Sequence, residues 1–84
     1  MLKIYGRSDC PDCANCKASL DAKGIEYDFR DIKESLHEFH VFMKIRDTES
    51  IFDDIKGTGG IGIPCLITED RTIVLDWESY IQKD

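Results

Sequence analysis

A chain of 84 residues has room for one domain with a thin core, so residues 1–84 read as a single unit. With 42% hydrophobic and 33% charged residues it has a soluble globular make-up, and apolar runs of a few residues exclude a spanning helix and a membrane partner. A formal net charge of −6 works against nucleic-acid binding, which needs clustered Lys and Arg to displace condensed counterions.

Residues 2–5 form an apolar run that stops at Gly6, the pattern of a short buried strand. The run leads directly into Gly6, Arg7, Ser8 and Asp9, without the basic and apolar stretches of a secretory leader, so a cytoplasmic location is expected. Pro11 suits the first position of a helix, where its missing N–H costs nothing, and Ala14, Ala18, Leu20 and Ala22 continue the helix to Lys23. Gly24 is its natural stop. Ile25, Tyr27 and Phe29 alternate with Glu26, Asp28 and Arg30, which predicts a strand with one buried face.

Ser35 and Glu38 have the spacing of a capping box for a second helix. Leu36, Phe39, His40 and Met43 share one side of it, with Phe42 and Ile45 widening the apolar stripe. Ile51, Phe52 and Ile55 suit another short helical piece before the glycines at 57, 59, 60 and 62. Residues 65–67 and 72–75 read as a hairpin turning at Glu69-Asp70-Arg71, and residues 77–82 as a closing helix. The order is βαβ, helix, hairpin, helix: an α/β fold whose first two strands are parallel by a right-handed crossover and whose hairpin makes the sheet mixed.

Four cysteines in a short secreted chain would suggest a disulfide scaffold, whose staples link distant loops. Here Cys10, Cys13 and Cys16 recur every three residues and Cys65 stands alone, a clustering that points to redox or metal chemistry. Cys10 and Cys13 sit at the junction of the first strand and first helix, with Pro11 and Asp12 between them. A helix N-terminus carries partial positive charge and unpaired N–H groups, which stabilise a thiolate. Cys10 is thus the expected nucleophile and Cys13, one turn in and more buried, the resolving thiol. Arg7 adds positive charge that could favour the thiolate, while Asp9 and Asp12 oppose it.

The alternative is a zinc or iron–sulfur carrier using the clustered thiols. Against it, Cys10 and Cys16 are separated by about 9 Å of helical rise, too far for one ion unless the helix start unwinds. Cys16 reads as a small buried thiol or a third redox or metal thiol, and Cys65 as core filler or a thiol facing the site. His37 and His40, three apart, read as a surface and a half-buried side chain without supporting ligands. The glycines near 60 lack the Gly-Lys-Ser/Thr of a phosphate loop and suit a flexible border to the site. Trp77 reads as packing for the last helix, with a substrate groove as the lesser alternative.

At Ile4-Tyr5-Gly6-Arg7-Ser8-Asp9-Cys10-Pro11-Asp12-Cys13 the chain resembles the glutaredoxins of the thioredoxin superfamily. Gly62-Ile63-Pro64 resembles their Thr-Val-Pro segment, which implies a cis proline facing the cysteines and a backbone at Ile63 that pairs with substrate. The element order matches too, implying a thioredoxin-like mixed four-stranded sheet flanked by helices. Residues 61–65 and Arg46-Asp47 look like a bacterial branch called glutaredoxin-related proteins.

The resemblance implies a thiol–disulfide oxidoreductase with Cys10 and Cys13 catalytic and Arg7, Pro11, Asp12, Ile63 and Pro64 along the substrate's path. It implies no resident cofactor or metal, and as partner a disulfide-bearing protein or small thiol. Two departures weigh against glutathione as reductant and leave dithiol exchange untouched. Asp12 replaces the usual aromatic residue, and Val74 and Leu75, followed by Asp76, stand where the family has a Gly-Gly pair. Bulky side chains obstruct the close backbone approach that glycine allows.

Overall fold

A computed structural model of the chain describes residues 1–58 and 60–82. Strand β1 is Leu2–Gly6, helix α1 Pro11–Ala22, strand β2 Tyr27–Asp31 and helix α2 Leu36–Thr48. A 3₁₀ turn at Ser50–Phe52 runs into the short helix α3, Asp53–Lys56. Strands β3, Cys65–Ile67, and β4, Ile73–Val74, precede helix α4, Trp77–Gln82.

The four strands form one mixed sheet in the order β2-β1-β3-β4. β1 and β2 are parallel from Leu2↔Tyr27 to Gly6↔Asp31, while β3 runs antiparallel to both β1 and β4. With helices packed on its faces, the sheet has the thioredoxin-like architecture the sequence implies.

The period-two alternation of the strands divides the core into two layers. Leu2, Ile4 and Leu66 face Cys16, Leu20, Trp77 and Ile81, which belong to α1 and α4. Tyr5 and Cys65 face the opposite way, toward Ile32, Phe42 and Phe52. Ring contacts tie this second layer together, with centroids 5.9 Å apart for Tyr5–Phe42 and 6.0 Å for Phe42–Phe52. Neighbouring residues along β1 therefore reach opposite faces, so the one strand anchors both layers.

Each end of α1 follows from its sequence. At the C-terminus Gly24 adopts φ 69°, the left-handed conformation that glycine reaches without a Cβ clash. The Gly24 N–H donates to Asp21 O at 3.1 Å and the Ile25 N–H to Leu20 O at 3.0 Å, which completes a Schellman stop. Ile25 and Leu20 then meet in the same core layer. At α2 only half of the expected capping box forms. The Ser35 hydroxyl accepts from the Glu38 N–H at 3.2 Å, but the Glu38 carboxylate is taken by Arg30 at 2.8 Å.

Several expectations need correction. β2 begins at Tyr27, and all five of its residues are partly exposed because it lies at the sheet's edge. In α2 the buried residue is Phe42, flanked by partly buried Val41 and Ile45; Leu36 is 70% exposed and His40 is a surface residue. Apolar residues wrap so much of this helix that periodicity selects no one stripe, and Tyr5 and Phe52 decide which side is covered. β4 is shorter than residues 72–75, because Thr72 closes the hairpin on Thr68 and Leu75 bends into the turn before α4. Arg71, in the turn, takes φ 68° without being glycine. Among the described residues no helix is long and apolar enough to cross a membrane.

Candidate active site

Three backbone segments meet where β1 hands the chain to α1. Cys10 is the N-cap of α1, with extended φ −95° and ψ 117°, and Pro11 occupies the first turn. The Cys13 N–H donates to Cys10 Sγ at 3.4 Å, so one of the helix's free N–H groups is spent on that sulfur. The helix dipole adds partial positive charge at the same point. Cys10 is partly exposed, whereas Cys13, one turn further in, is fully buried.

Burial pushes the Cys13 thiol up to about 12, opposed by the Arg7 backbone N–H and reinforced by the Cys10 sulfur and the Asp12 charge. The outer sulfur thus meets solvent and helix end, while the inner one stays protonated at neutral pH. All four cysteines are free thiols.

Gly6 makes the seat for the inner sulfur. A Cβ added there would lie 2.8 Å from Cys13 Sγ and 3.0 Å from the Phe29 ring. The third segment enters through β3: the Ile63–Pro64 bond is cis, as the resemblance implied, and Pro64 is buried. Tyr5 pairs with Cys65, so continuing the antiparallel register by one residue sets Pro64 beside Gly6.

The remaining candidate positions fall as follows. Arg7 pairs first with Asp9, and its coulombic attraction to Cys10 is the weakest of the influences on it. Its guanidinium makes a two-point pair with Asp9, Nε–Oδ1 at 2.9 Å and Nη2–Oδ2 at 2.8 Å, and Lys33 joins Asp9 at 3.4 Å. Hydrogen bonding from Arg7 outweighs desolvation and holds the Asp9 carboxyl far below the usual carboxylate range. Two charges expected to act in opposition on the thiolate are thus paired with each other first. Pro11 and Asp12 are exposed, and Asp12 Oδ2 accepts from the Trp77 indole N–H at 3.3 Å. Trp77 is therefore core packing for α4 that also ties the active-site turn to that helix.

Cys16 and Cys65 are both fully buried, in opposite core layers. Burial pushes Cys16 up to about 11, with the Asp12 charge adding to it, and burial alone pushes Cys65 up to about 12. The sheet separates Cys65 from the others, and among the described residues no three His, Cys, Asp or Glu side chains converge on a possible metal position. His37 and His40 are both surface residues.

Three residues that shape the site escaped the sequence reading of function. Gly6 read only as a strand end, although a glycine just ahead of a cysteine pair hinted at close approach. Asp31, closing β2, accepts from the backbone N–H groups of Ser8 at 3.2 Å, Lys33 at 2.9 Å and Glu34 at 3.3 Å. Burial works to raise its carboxyl, but these donors prevail and hold it below its ordinary value. Arg46 reaches the loop ahead of Pro64, and only its place in a family-like stretch hinted at a role. Val74 ends β4, and Asp76 Oδ1 accepts from the Ser79 N–H at 3.3 Å, so Asp76 caps α4.

A family model described as Glutaredoxin matches residues 2–73. A Haemophilus influenzae protein, described only as an uncharacterized protein, is 40% identical over 73 residues, covering 87% of this chain and 85% of that one. No solved structure matches the chain.

Proposed function

This chain belongs to the glutaredoxin family, and from that premise we propose that it reduces protein or low-molecular-weight disulfides by dithiol exchange between Cys10 and Cys13. The observation that carries the reading is the contrast between the two neighbouring thiols, one partly exposed at the helix end and one buried. Cys10 Sγ sits at the helix end with the Cys13 N–H on it, and the Cys13 thiol lies buried.

In the first step the Cys10 thiolate attacks one sulfur of the substrate disulfide. A Cys10–substrate disulfide forms, and the other substrate sulfur leaves as a thiolate that takes a proton from solvent. In the second step Cys13 gives up its proton and attacks Cys10 Sγ, which releases the second substrate thiolate and leaves a Cys10–Cys13 disulfide. The substrate gains two electrons and the cysteine pair loses two.

The high position of the Cys13 thiol suits this order, because a protonated, sheltered sulfur does not compete for the first attack. Pro64 falls beside Gly6 by the register of β3, and the Ile63 backbone just before it is the proposed edge for a substrate's main chain. A thiol donor must then return the pair to its reduced form. Val74 and Leu75, in place of glycines, make glutathione a poorer fit for that task than another thiol or dithiol. The chemistry suits a reducing compartment such as the cytoplasm.

Turnover of a model disulfide by the wild type and by Cys10→Ser tests the proposal. Activity in the wild type and its loss in the variant is the expected result; equal rates would end it.

A further inference from the structure

Arg46 lies in the last turn of α2 and takes no part in the exchange chemistry. Its Nε donates to the Ile61 carbonyl at 2.9 Å and its Nη2 to the Gly60 carbonyl at 2.7 Å. A guanidinium is a planar fork with fixed donor directions, so gripping two consecutive carbonyls fixes that backbone in orientation as well as position. The helix supplying the fork is itself held, because Phe42 is fully buried between Tyr5 and Phe52.

One residue further along, the same loop meets a second restraint. Gly62 has φ +95°, and a Cβ there would lie 2.8 Å from the Phe52 ring. The loop is therefore pinned by Arg46 at Gly60 and Ile61 and packed on Phe52 at Gly62, immediately before Ile63 and the buried Pro64. Beyond Pro64 the register of β3 takes over. Little freedom is left to the Ile63 backbone while the Arg46 fork is in place.

We propose that Arg46 is a positioning residue for the disulfide substrate, holding the carbonyls of Gly60 and Ile61 so that the Ile63 backbone is presented beside Cys10. This rests on the dithiol-exchange reading above. Arg46 touches neither sulfur, so it sets how well a substrate is held rather than how fast a held one reacts. A small disulfide with no main chain to align gains little from it; a polypeptide disulfide gains most.

The test is single-turnover reduction of disulfide-intact insulin by prereduced protein, over a range of insulin concentrations, for wild type, Arg46→Ala and Arg46→Lys. Arg46→Ala is expected to raise the half-saturating concentration roughly tenfold, the loss of a charge-assisted grip, with the limiting rate within about twofold. Arg46→Lys keeps the charge but lacks the fork and falls between the two. The reduction potential of the Cys10–Cys13 pair stays at the wild-type value in both variants, which also shows that they are folded. Unchanged half-saturation in Arg46→Ala overturns the proposal, as does a fall in limiting rate with half-saturation unchanged. A shifted potential in both variants assigns Arg46 to the fold and likewise overturns it. Wild type that fails to reduce insulin but turns over small disulfides removes the polypeptide preference and this proposal alone. Wild type inactive on every disulfide removes the exchange reading as well.

Discussion

Replacing Gly6 by alanine probes how closely the inner sulfur is seated. The new Cβ would stand 2.8 Å from Cys13 Sγ and 3.0 Å from the Phe29 ring. Non-bonded carbon atoms prefer about 3.5–4.0 Å, and sulfur is larger than carbon, so at least one neighbour must move by roughly 0.7 Å. Neither moves freely: Cys13 is fixed on α1, and the Phe29 ring packs on one core layer and lies 4.0 Å beneath the Lys17 ammonium. Overpacking of this kind costs about 1–3 kcal/mol. At about 4–8 °C per kcal/mol for a domain of this size, the melting midpoint of the reduced protein should drop by roughly 4–24 °C.

The kinetic consequence is selective. If the pair works by dithiol exchange as proposed, capture by Cys10 should be little affected while Cys13 attacks from a displaced position, so the mixed disulfide should persist. Thermal unfolding followed by circular dichroism reads the first effect, and acid-quenched single-turnover samples resolved by mass read the second. A Gly6→Ala protein that melts within about 1 °C of wild type and releases substrate equally fast would refute the packing argument.

Further outcomes follow from the burial and hydrogen bonds described. Cys13, Cys16 and Cys65 have folded-state values near 12, 11 and 12 against a reference of 9.0. Their contribution to stability is thus complete below pH 9 and is lost as the pH rises through about 9–12, because the unfolded chain releases protons that the folded one keeps. The slope is at most about 1.4 kcal/mol per pH unit for each thiol, and Cys65→Ala should remove roughly a third of it in urea titrations at pH 8, 9 and 10. Equal slopes in both proteins would contradict the assignment. Asp31, held low, contributes in the opposite sense: its share is lost on acidification, and Asp31→Ala should flatten the acid limb of the stability curve. Ser35→Ala removes the α2 cap and should cost about 1 kcal/mol in urea unfolding. Trp77→Phe loses the N–H to Asp12 and also one ring of the buried indole, so it should cost more than the roughly 0.5–1.5 kcal/mol of the hydrogen bond alone by the same measurement.

Much of this arrangement is written locally in the chain. Pro11 after Cys10 marks a helix start, Gly24 its stop, and the apolar run before Gly6 a buried strand; each signal acts over a few residues, so reading it requires no tertiary knowledge. The same locality placed Cys10 at the helix end with Cys13 one turn further in. α2 is different, since its apolar residues circle the helix and only the sheet decides that Phe42 faces inward. Charge pairing was also hidden. Arg7 and Asp9 are two apart, and nothing in their spacing shows that they hold each other in a two-point pair. The clamp of Arg46 on Gly60 and Ile61 spans 14–15 residues, and the seat formed by Gly6 depends on α1 folding back over β1. Long-range contacts of this sort leave no periodic mark in a single sequence.

The most direct test uses Cys13→Ser, which keeps the outer sulfur and removes the one that would release its captive. The variant is mixed with disulfide-intact insulin, quenched in acid, digested and mapped by mass. The two-sulfur account predicts a stable adduct on Cys10 alone, with Cys16 and Cys65 unmodified, and no such adduct accumulating in the wild type. An adduct on Cys16 or Cys65, or none on Cys10, would contradict it.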